Sequence, residues 1–258
     1  MSYPTMPDKH RYEAIVDPRE MLAHRRRGGR LPNMDPPLGA LICLQRGLPE
    51  RLRWRIPIKR VGRLMGDLYA VRRTRGRVVV LSNFGLGAPL VAAQAEELIA
   101  LGATRVVSVA LSGGLQADLA PGTVVVVDAA IRDEGTSHHY LPPGREVAAD
   151  PELVAGLHDA LVRRGCAPRV GRAWSTDAPY RETREEVAGL QAEGVLVVDM
   201  ELAALLAVAQ VRGVRAGGVL VVGDSLAGGE WRPPARLDAM ERSLEQAYRA
   251  AIDVLDAD

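Results

Sequence analysis

Hydrophobic positions along the chain fall into two alternating patterns. Predominantly apolar runs at 39–44, 105–111, 123–131, 170–175, 195–198 and 218–222 predict strands, and 195–198, short, β-branched and uninterrupted, has the character of one buried on both faces. The longest is 123–131. Between the runs, apolar residues recur three and four apart, which predicts helices over 90–100, 151–164, 182–191, 202–212 and 235–255. In the fourth of these, Leu202, Leu205, Leu206 and Ala209 share one face. The punctuation agrees: Asp150 and Pro151 open one helix, and Gly102 and Gly213 stand where two others end. The runs 68–71 and 78–81 around the charged turn 72–77 predict a hairpin. Strands alternating with helices predict an α/β fold. Ahead of it lies an arm, residues 1–37, with a short helix over 18–27 and then Pro32, Pro36 and Pro37, so the main domain is expected over 38–258.

Composition narrows the function classes. With 258 residues, 47% of them apolar, the chain can form one domain with a full core. Lys and Arg total 33 against 32 Asp and Glu, a balance that argues against a nucleic-acid platform. No apolar run is long enough to cross a membrane. The N-terminus carries Asp8, Lys9 and His10 where a signal peptide has its apolar core, so a cytoplasmic location is expected. Cys43 and Cys166 lack CxxC spacing, so neither a disulfide framework nor a zinc site is expected. Lys9 and Lys59 are the chain's lysines; arginine is its general cation, and a single Arg says little about function. The run Arg25-Arg26-Arg27-Gly28-Gly29-Arg30 reads as an anion or subunit contact or, preferably, as solvated surface.

The candidate chemistry sits where strands end. The run 195–198 stops at Asp199-Met200-Glu201, and 218–222 leads to Asp224. Ligand crevices in α/β sheets lie outside the carboxyl ends of strands, so Glu201 and Asp224 are expected to face one pocket. The alternative makes Asp199 a helix cap and Asp224 a turn residue. NFGLGAP at 83–89, with Gly85 and Gly87, reads as a glycine turn whose amides meet an anion at a helix N-terminus; Ser112-Gly113-Gly114 reads as a second such turn. RDEGTSHHY at 132–140 offers carboxylates, hydroxyls and two histidines, but adjacent His138 and His139 point apart on an extended chain, so no metal is expected.

These residues also resemble a known family. VVDMELAALLAVA followed by GVRAGGVLVVGDS is similar to the signature of the nucleoside phosphorylases of the purine and uridine phosphorylase type, and SGGLQADLAPGTVVVVDAAIRDEGTSHHYLPP and STDAPYRE resemble that family's central segments, in the family's order. The resemblance implies a mixed central sheet, partly closed like a barrel and flanked by helices, assembled as a homodimer or homohexamer. It implies cleavage of the N-glycosidic bond of a small-molecule nucleoside, with inorganic phosphate as co-substrate and no other cofactor. Glu201 would grip the ribose hydroxyls with Met200 against the sugar, and Asp224 would be the general acid for the leaving base, kept protonated by burial. Departures are equally visible. Ser108 and Leu111 stand where the family presents its phosphate Arg and a Ser or Thr, CLQRGLPER at 43–51 matches its phosphate loop poorly, and Pro179 replaces an aromatic, leaving Tyr180 for the base. Arg46 or Arg51 could substitute for the lost Arg, and Arg60 or Arg63 could be lent by a neighbouring subunit. Two alternatives therefore accompany phosphorolysis: a nucleosidase using water, with Glu134 as a candidate base, and a non-catalytic nucleoside-binding protein.

Overall fold

The computed structural model describes residues 4–31, 34–233 and 237–257. The chain enters through helix α1 (Pro18–Arg27), whose first turn Asp17 caps by accepting from the Arg19 amide. It continues through strand β1 (Gly39–Cys43), helix α2 (Leu48–Leu52) and strands β2 (Ile58–Arg63), β3 (Asp67–Val71) and β4 (Val78–Ser82). Helix α3 (Ala88–Leu101) leads to β5 (Arg105–Gly114), β6 (Val124–Asp133) and the short β7 (Glu146–Ala148). Helix α4 (Pro151–Val162), β8 (Arg169–Thr176), α5 (Arg184–Ala192), β9 (Val197–Asp199), α6 (Leu202–Arg212), β10 (Arg215–Ser225) and α7 (Leu237–Asp256) complete it.

The ten strands among the described residues form one mixed sheet. Strands β10, β6, β8, β9 and β5 follow one another, and β5 also pairs in parallel with β10, so these five close into a small barrel. Beyond β5 the sheet stays open as β1, β4, β3 and β2. Side chains alternate along each strand. In β1, Ala40 and Ile42 join the core shared with α1, α3 and α6, while Leu41 and Cys43 join the core shared with α2, α4 and α7. The expected mixed, partly barrel-like sheet flanked by helices is thus what the chain forms.

Several elements differ from expectation for identifiable reasons. Strand β10, not the 123–131 run, is the longest, because Arg215, Ala216 and Gly217 before the 218–222 run and Gly223, Asp224 and Ser225 after it belong to the strand without carrying an apolar-run signal. Strand β2 escapes the pattern because it is a charged edge strand, partly exposed along its length, as edges that must resist further pairing often are. Helix α6 is buried from Leu202 to Ala209 around its whole circumference, not on one face, since it lies between sheet and α3. Ser112, Gly113 and Gly114 are the end of β5, paired with β10 and β9, and not a turn. Within the N-terminal region, Leu22 and Leu31 are buried in the main core and Arg25 donates to Glu97 Oε1 at 2.9 Å, so α1 is clamped onto α3. Pro32, and Pro234 and Ala235 at the expected start of the last helix, lie outside the described residues.

Glycine also sets the distance between helix and barrel. A Cβ on Gly218 would meet Leu202 Cδ1 at 2.7 Å, so α6 approaches β10 as closely as a bare backbone permits. Gly218→Ala is expected to destabilise the fold by about 1–3 kcal/mol through this overpacking. Gly189→Ala, on an exposed face of α5 with open space around it, should instead stabilise by about 0.5–1 kcal/mol through helix propensity. Urea unfolding of both variants checks the contrast; equal effects would show that the contact is relieved at no cost.

Candidate active site

The carboxyl ends of β5 and β10, together with β9 and the segments around α5, enclose a cavity of about 970 Å³. Glu201, Asp224, Met200, Ser112, Gly113 and Tyr180 all line it, so residues distant in the chain converge as the strand-end argument expects.

Glu201 is 5% exposed, at the start of α6. Its Oε1 accepts the Gly87 amide at 2.7 Å and its Oε2 the Met200 amide at 3.2 Å. Gly87, at φ 107°, is the residue preceding α3, so Glu201 is itself the anion at that helix N-terminus. The Gly87 amide expected to meet a ligand is already occupied. Gly85, two residues earlier, is close-packed: a Cβ there would stand 3.1 Å from Leu90 Cδ2. Asp199 plays the corresponding part for α6. Its Oδ2 accepts from the Glu201 amide at 3.1 Å and the Leu202 amide at 2.7 Å, and its Oδ1 from the Ser175 hydroxyl at 2.5 Å. The Ser175 hydroxyl oxygen in turn accepts the Ala203 amide at 3.0 Å. Burial pushes both carboxyls above the ordinary range; the charge of Asp199 adds to the rise at Glu201, and the hydrogen bonds named oppose it at both. The cap reading of Asp199 is therefore correct, and the cap holds Glu201 at the cavity wall.

Asp224 is half-buried, not buried as expected. The β5–β10 register shifts between Val222 and Asp224, and Trp231 Nε1 donates to Asp224 Oδ2 at 2.6 Å. Trp231 comes back to this position because the turn containing Gly228 and Gly229, both at positive φ, returns the chain so that Ser225 and Arg232 pair as an isolated bridge. A Cβ on Gly113 would lie 2.9 Å from Val198 Cγ1 and 3.3 Å from Asp224 Oδ1, so glycine there is required by space.

Sequence reasoning missed Glu182, Arg184 and Trp231, all of which line the cavity. Glu182 closes the STDAPYRE segment and lies beside the Thr183 cap of α5. Burial and then the neighbouring charge of Asp224 push its pKa up to about 7. Arg184, whose Nε donates to the Gly229 carbonyl at 3.0 Å, is the one basic side chain among the described residues of the wall. Tyr180 stands at the rim, fully exposed. Leu111 presents an aliphatic side chain to the cavity, whereas Ser108 is buried within β5.

The remaining candidates are dispersed. Arg46 adjoins the wall residue Gln45, and its Nε donates to the Phe84 carbonyl at 2.9 Å. The same loop is held by the Gly47 amide donating to Asn83 Oδ1 at 2.9 Å, with Asn83 in the left-handed region at φ 61°. Arg51 pairs with Glu241, and Arg60 and Arg63 lie on a second cavity that shares no residue with the first. Glu134 is 1% exposed and its carboxylate accepts the Thr136 and Ser137 amides of its own loop; it does not itself line the cavity. His138 Nε2 contacts the Arg132 carbonyl and His139 Nδ1 contacts Lys9 Nζ.

Residues 48–257 match the family model described as "Phosphorylase superfamily". The chain belongs to the phosphorylase superfamily. It is 32% identical over 189 residues to the uridine phosphorylase of Treponema pallidum, a match covering 69% of this chain and 72% of that protein. A guanosine phosphorylase of Halorubrum lacusprofundi is 28% identical over 186 residues, 70% of this chain and 77% of the relative. A purine nucleoside phosphorylase (DeoD-type) of Bacillus cytotoxicus is 31% identical over 182 residues, 69% and 77% respectively. As a superfamily member the chain is an enzyme, a pentosyltransferase. Among the described residues no helix is long and apolar enough to cross a membrane.

The raised pKa of Glu182 has a consequence for stability. Between the ordinary carboxylate value of 4.5 and about 7, the folded state holds a proton that the unfolded state has released. Folding therefore loses stability as pH rises through that window, and the loss is complete above it. Glu182→Gln removes the ionisation, so its Tm should exceed wild type by about 2–4 °C above pH ~8, with the gap closing as pH falls to ~4.5. Thermal melts across pH check this; a gap independent of pH would show that Glu182 is not the titrating group.

Proposed function

We propose that the chain cleaves the N-glycosidic bond of a purine nucleoside, with inorganic phosphate as the acceptor. The observation carrying this reading is the convergence of Glu201, Met200 and Asp224 on one cavity in a member of the phosphorylase superfamily. Glu201, held by two backbone amides, accepts from the vicinal ribose hydroxyls, which favours its ionised form and selects a cis-diol. Met200 provides the apolar contact for the sugar ring. As the C1′–N bond breaks, the base departs with the electron pair and the sugar gains oxocarbenium character. Asp224 hands a proton to the leaving purine. Trp231 fixes its Oδ2, so its Oδ1, beside Gly113, is the oxygen that meets the base. Glu182 supplies a second carboxyl at the same end, and its pKa of about 7 leaves it able to hold a proton near neutrality.

Phosphate attacks C1′ from the face opposite the base. Arg46 is the assigned anion contact: with Nε tied to the Phe84 carbonyl, its two Nη groups remain for a bidentate grip. The second reading is hydrolysis, with water in place of phosphate. It is favoured by Leu111 on the wall and by Arg184 being the one basic side chain there among the described residues.

Base release from purine and pyrimidine nucleosides, measured with and without phosphate, separates the readings. Phosphate-dependent release of purines is expected; release at the same rate without phosphate would establish the nucleosidase. Asp224→Asn should retain nucleoside binding while slowing purine release by about 10²-fold or more, and wild-type turnover in that variant would place the acid elsewhere. Glu201→Gln, which keeps the side chain's shape, should abolish measurable nucleoside binding; unchanged affinity by calorimetry would remove the proposed sugar grip.

A further inference from the structure

The loop that carries Arg46 is tied to the turn after β4 by two hydrogen bonds. Arg46 Nε donates to the Phe84 carbonyl at 2.9 Å, and the Gly47 amide donates to Asn83 Oδ1 at 2.9 Å. Asn83 is the hub of the junction. Its Nδ2 donates to Glu50 Oε1 at 2.5 Å, to Asp67 Oδ2 at 3.1 Å and to the Tyr69 hydroxyl oxygen at 3.3 Å. An amide oxygen facing an N–H and an amide nitrogen facing two carboxylates fix which way the side chain points. Glu50 belongs to α2, the helix that follows the loop, so this bond holds the loop from its other end. Asp67, on β3, is itself held by Arg60 at 2.7 Å, with Arg63 near enough for its charge to act on the same carboxylate. Tyr69 completes the set by donating to Glu50 Oε1 at 2.5 Å.

The backbone singles out Asn83 independently. It sits at φ 61°, a left-handed conformation that glycine adopts without steric cost and few other residues take. The turn alone would accept glycine; what asparagine adds is the amide and the contacts just named. The same turn runs on to Gly87, whose amide Glu201 Oε1 accepts at 2.7 Å, and Leu86 within it lines the cavity together with Leu44 and Gln45 of the Arg46 loop. One short stretch of backbone, from the Phe84 carbonyl to the Gly87 amide, therefore anchors both the proposed anion contact and the proposed sugar contact.

We propose that Asn83 is a positioning residue for phosphate: by clamping the Arg46 loop to the turn that anchors Glu201, it sets the distance between the anion and the sugar carbon it attacks. The inference rests on the reading of Arg46 as the phosphate contact. Arg46 is exposed and its side chain is long, so ordering it on binding costs conformational entropy. A loop already clamped loses less and presents its free Nη groups in a fixed position. Attack at C1′ tolerates little misplacement of the incoming oxygen, so a residue that touches neither substrate governs the approach.

Steady-state kinetics of the intact protein test this, with phosphate and with inosine, adenosine or uridine, whichever wild type cleaves fastest, each substrate varied in turn. Wild type is compared with Asn83→Gly, Arg46→Ala and the double variant. Glycine keeps the left-handed backbone and removes the amide. Asn83→Gly should raise KM for phosphate at least about tenfold while KM for the nucleoside stays within about twofold. Arg46→Ala should raise KM for phosphate by as much or more. The double variant should match Arg46→Ala alone, because a residue acting through Arg46 then has nothing left to position. Effects that add in the double variant, or a rise in both KM values alike, would make Asn83 a part of the fold only and overturn the proposal. Unchanged KM for phosphate in Asn83→Gly, beside a raised one in Arg46→Ala, would overturn it and leave the Arg46 contact standing. Unchanged KM for phosphate in Arg46→Ala would remove that contact and this inference with it. Absence of phosphate-dependent cleavage in wild type would remove the phosphorolysis reading itself, and the role of Asn83 with it.

Discussion

Two buried carboxylates at two helix N-termini hold the cavity together. Asp199 accepts the first amides of α6, and Glu201, the residue those amides belong to or adjoin, reaches across to the amide that opens α3. Each acid thus satisfies backbone donors that a helix start leaves without intrahelical partners, and each gains from the positive end of a helix dipole. Burial raises both pKa values, the charge of Asp199 adds to the rise at Glu201, and the amides oppose it at both. A preorganised acceptor of this kind suits the proposed sugar contact, because its geometry is set before any ligand arrives.

Around that pair the fold uses small residues to bring rigid elements close. Gly218 lets α6 lie against β10, and Gly113 leaves room for both Val198 and the Asp224 carboxylate. The register shift before Asp224 and the return of the chain at Gly228 and Gly229 then bring Trp231 to one carboxylate oxygen. The end of the cavity that holds Asp224 also holds Trp231, hydrogen-bonded to it, and Glu182, whose pKa is raised by burial and then by the charge of Asp224. The relatives named for uridine, guanosine and purine nucleosides differ in base, and this end is where the proposed base contacts gather.

Arginine serves separate purposes in different parts of the molecule. Arg25 is half-buried and held by Glu97 and the Leu64 carbonyl, and Arg132 is buried, holding the loop after β6 through Ser137 and the carbonyls of Leu141 and Pro142. Arg46 is half-engaged at the cavity edge, and Arg26, Arg27 and Arg30 are gathered in the second groove. Identical residue types in one sequence run, Arg25 and Arg26, end on opposite sides of α1 because a helix turns neighbours apart by about 100°.

The sequence by itself determined the alternation of strands and helices, the two acids at strand ends and the resemblance to the family. Each of these is local: an apolar run, a period of 3.6 residues, a cap or a glycine acts within a few positions. Strand β2 stayed hidden because an exposed, charged edge carries no such period, and Ser112-Gly113-Gly114 read as a turn because nothing local distinguishes glycine needed for bending from glycine needed for space. Tertiary structure decided the rest. It closed the barrel through the β5–β10 pair, placed the Gly87 amide on Glu201 and put Trp231 and Glu182 beside Asp224. It also spent Glu134 on its own loop and carried Arg60 and Arg63 away from the cavity to meet the arginines of α1. These outcomes depend on contacts between residues far apart in the chain, whose geometry comes into being when the sheet closes and the helices pack against it.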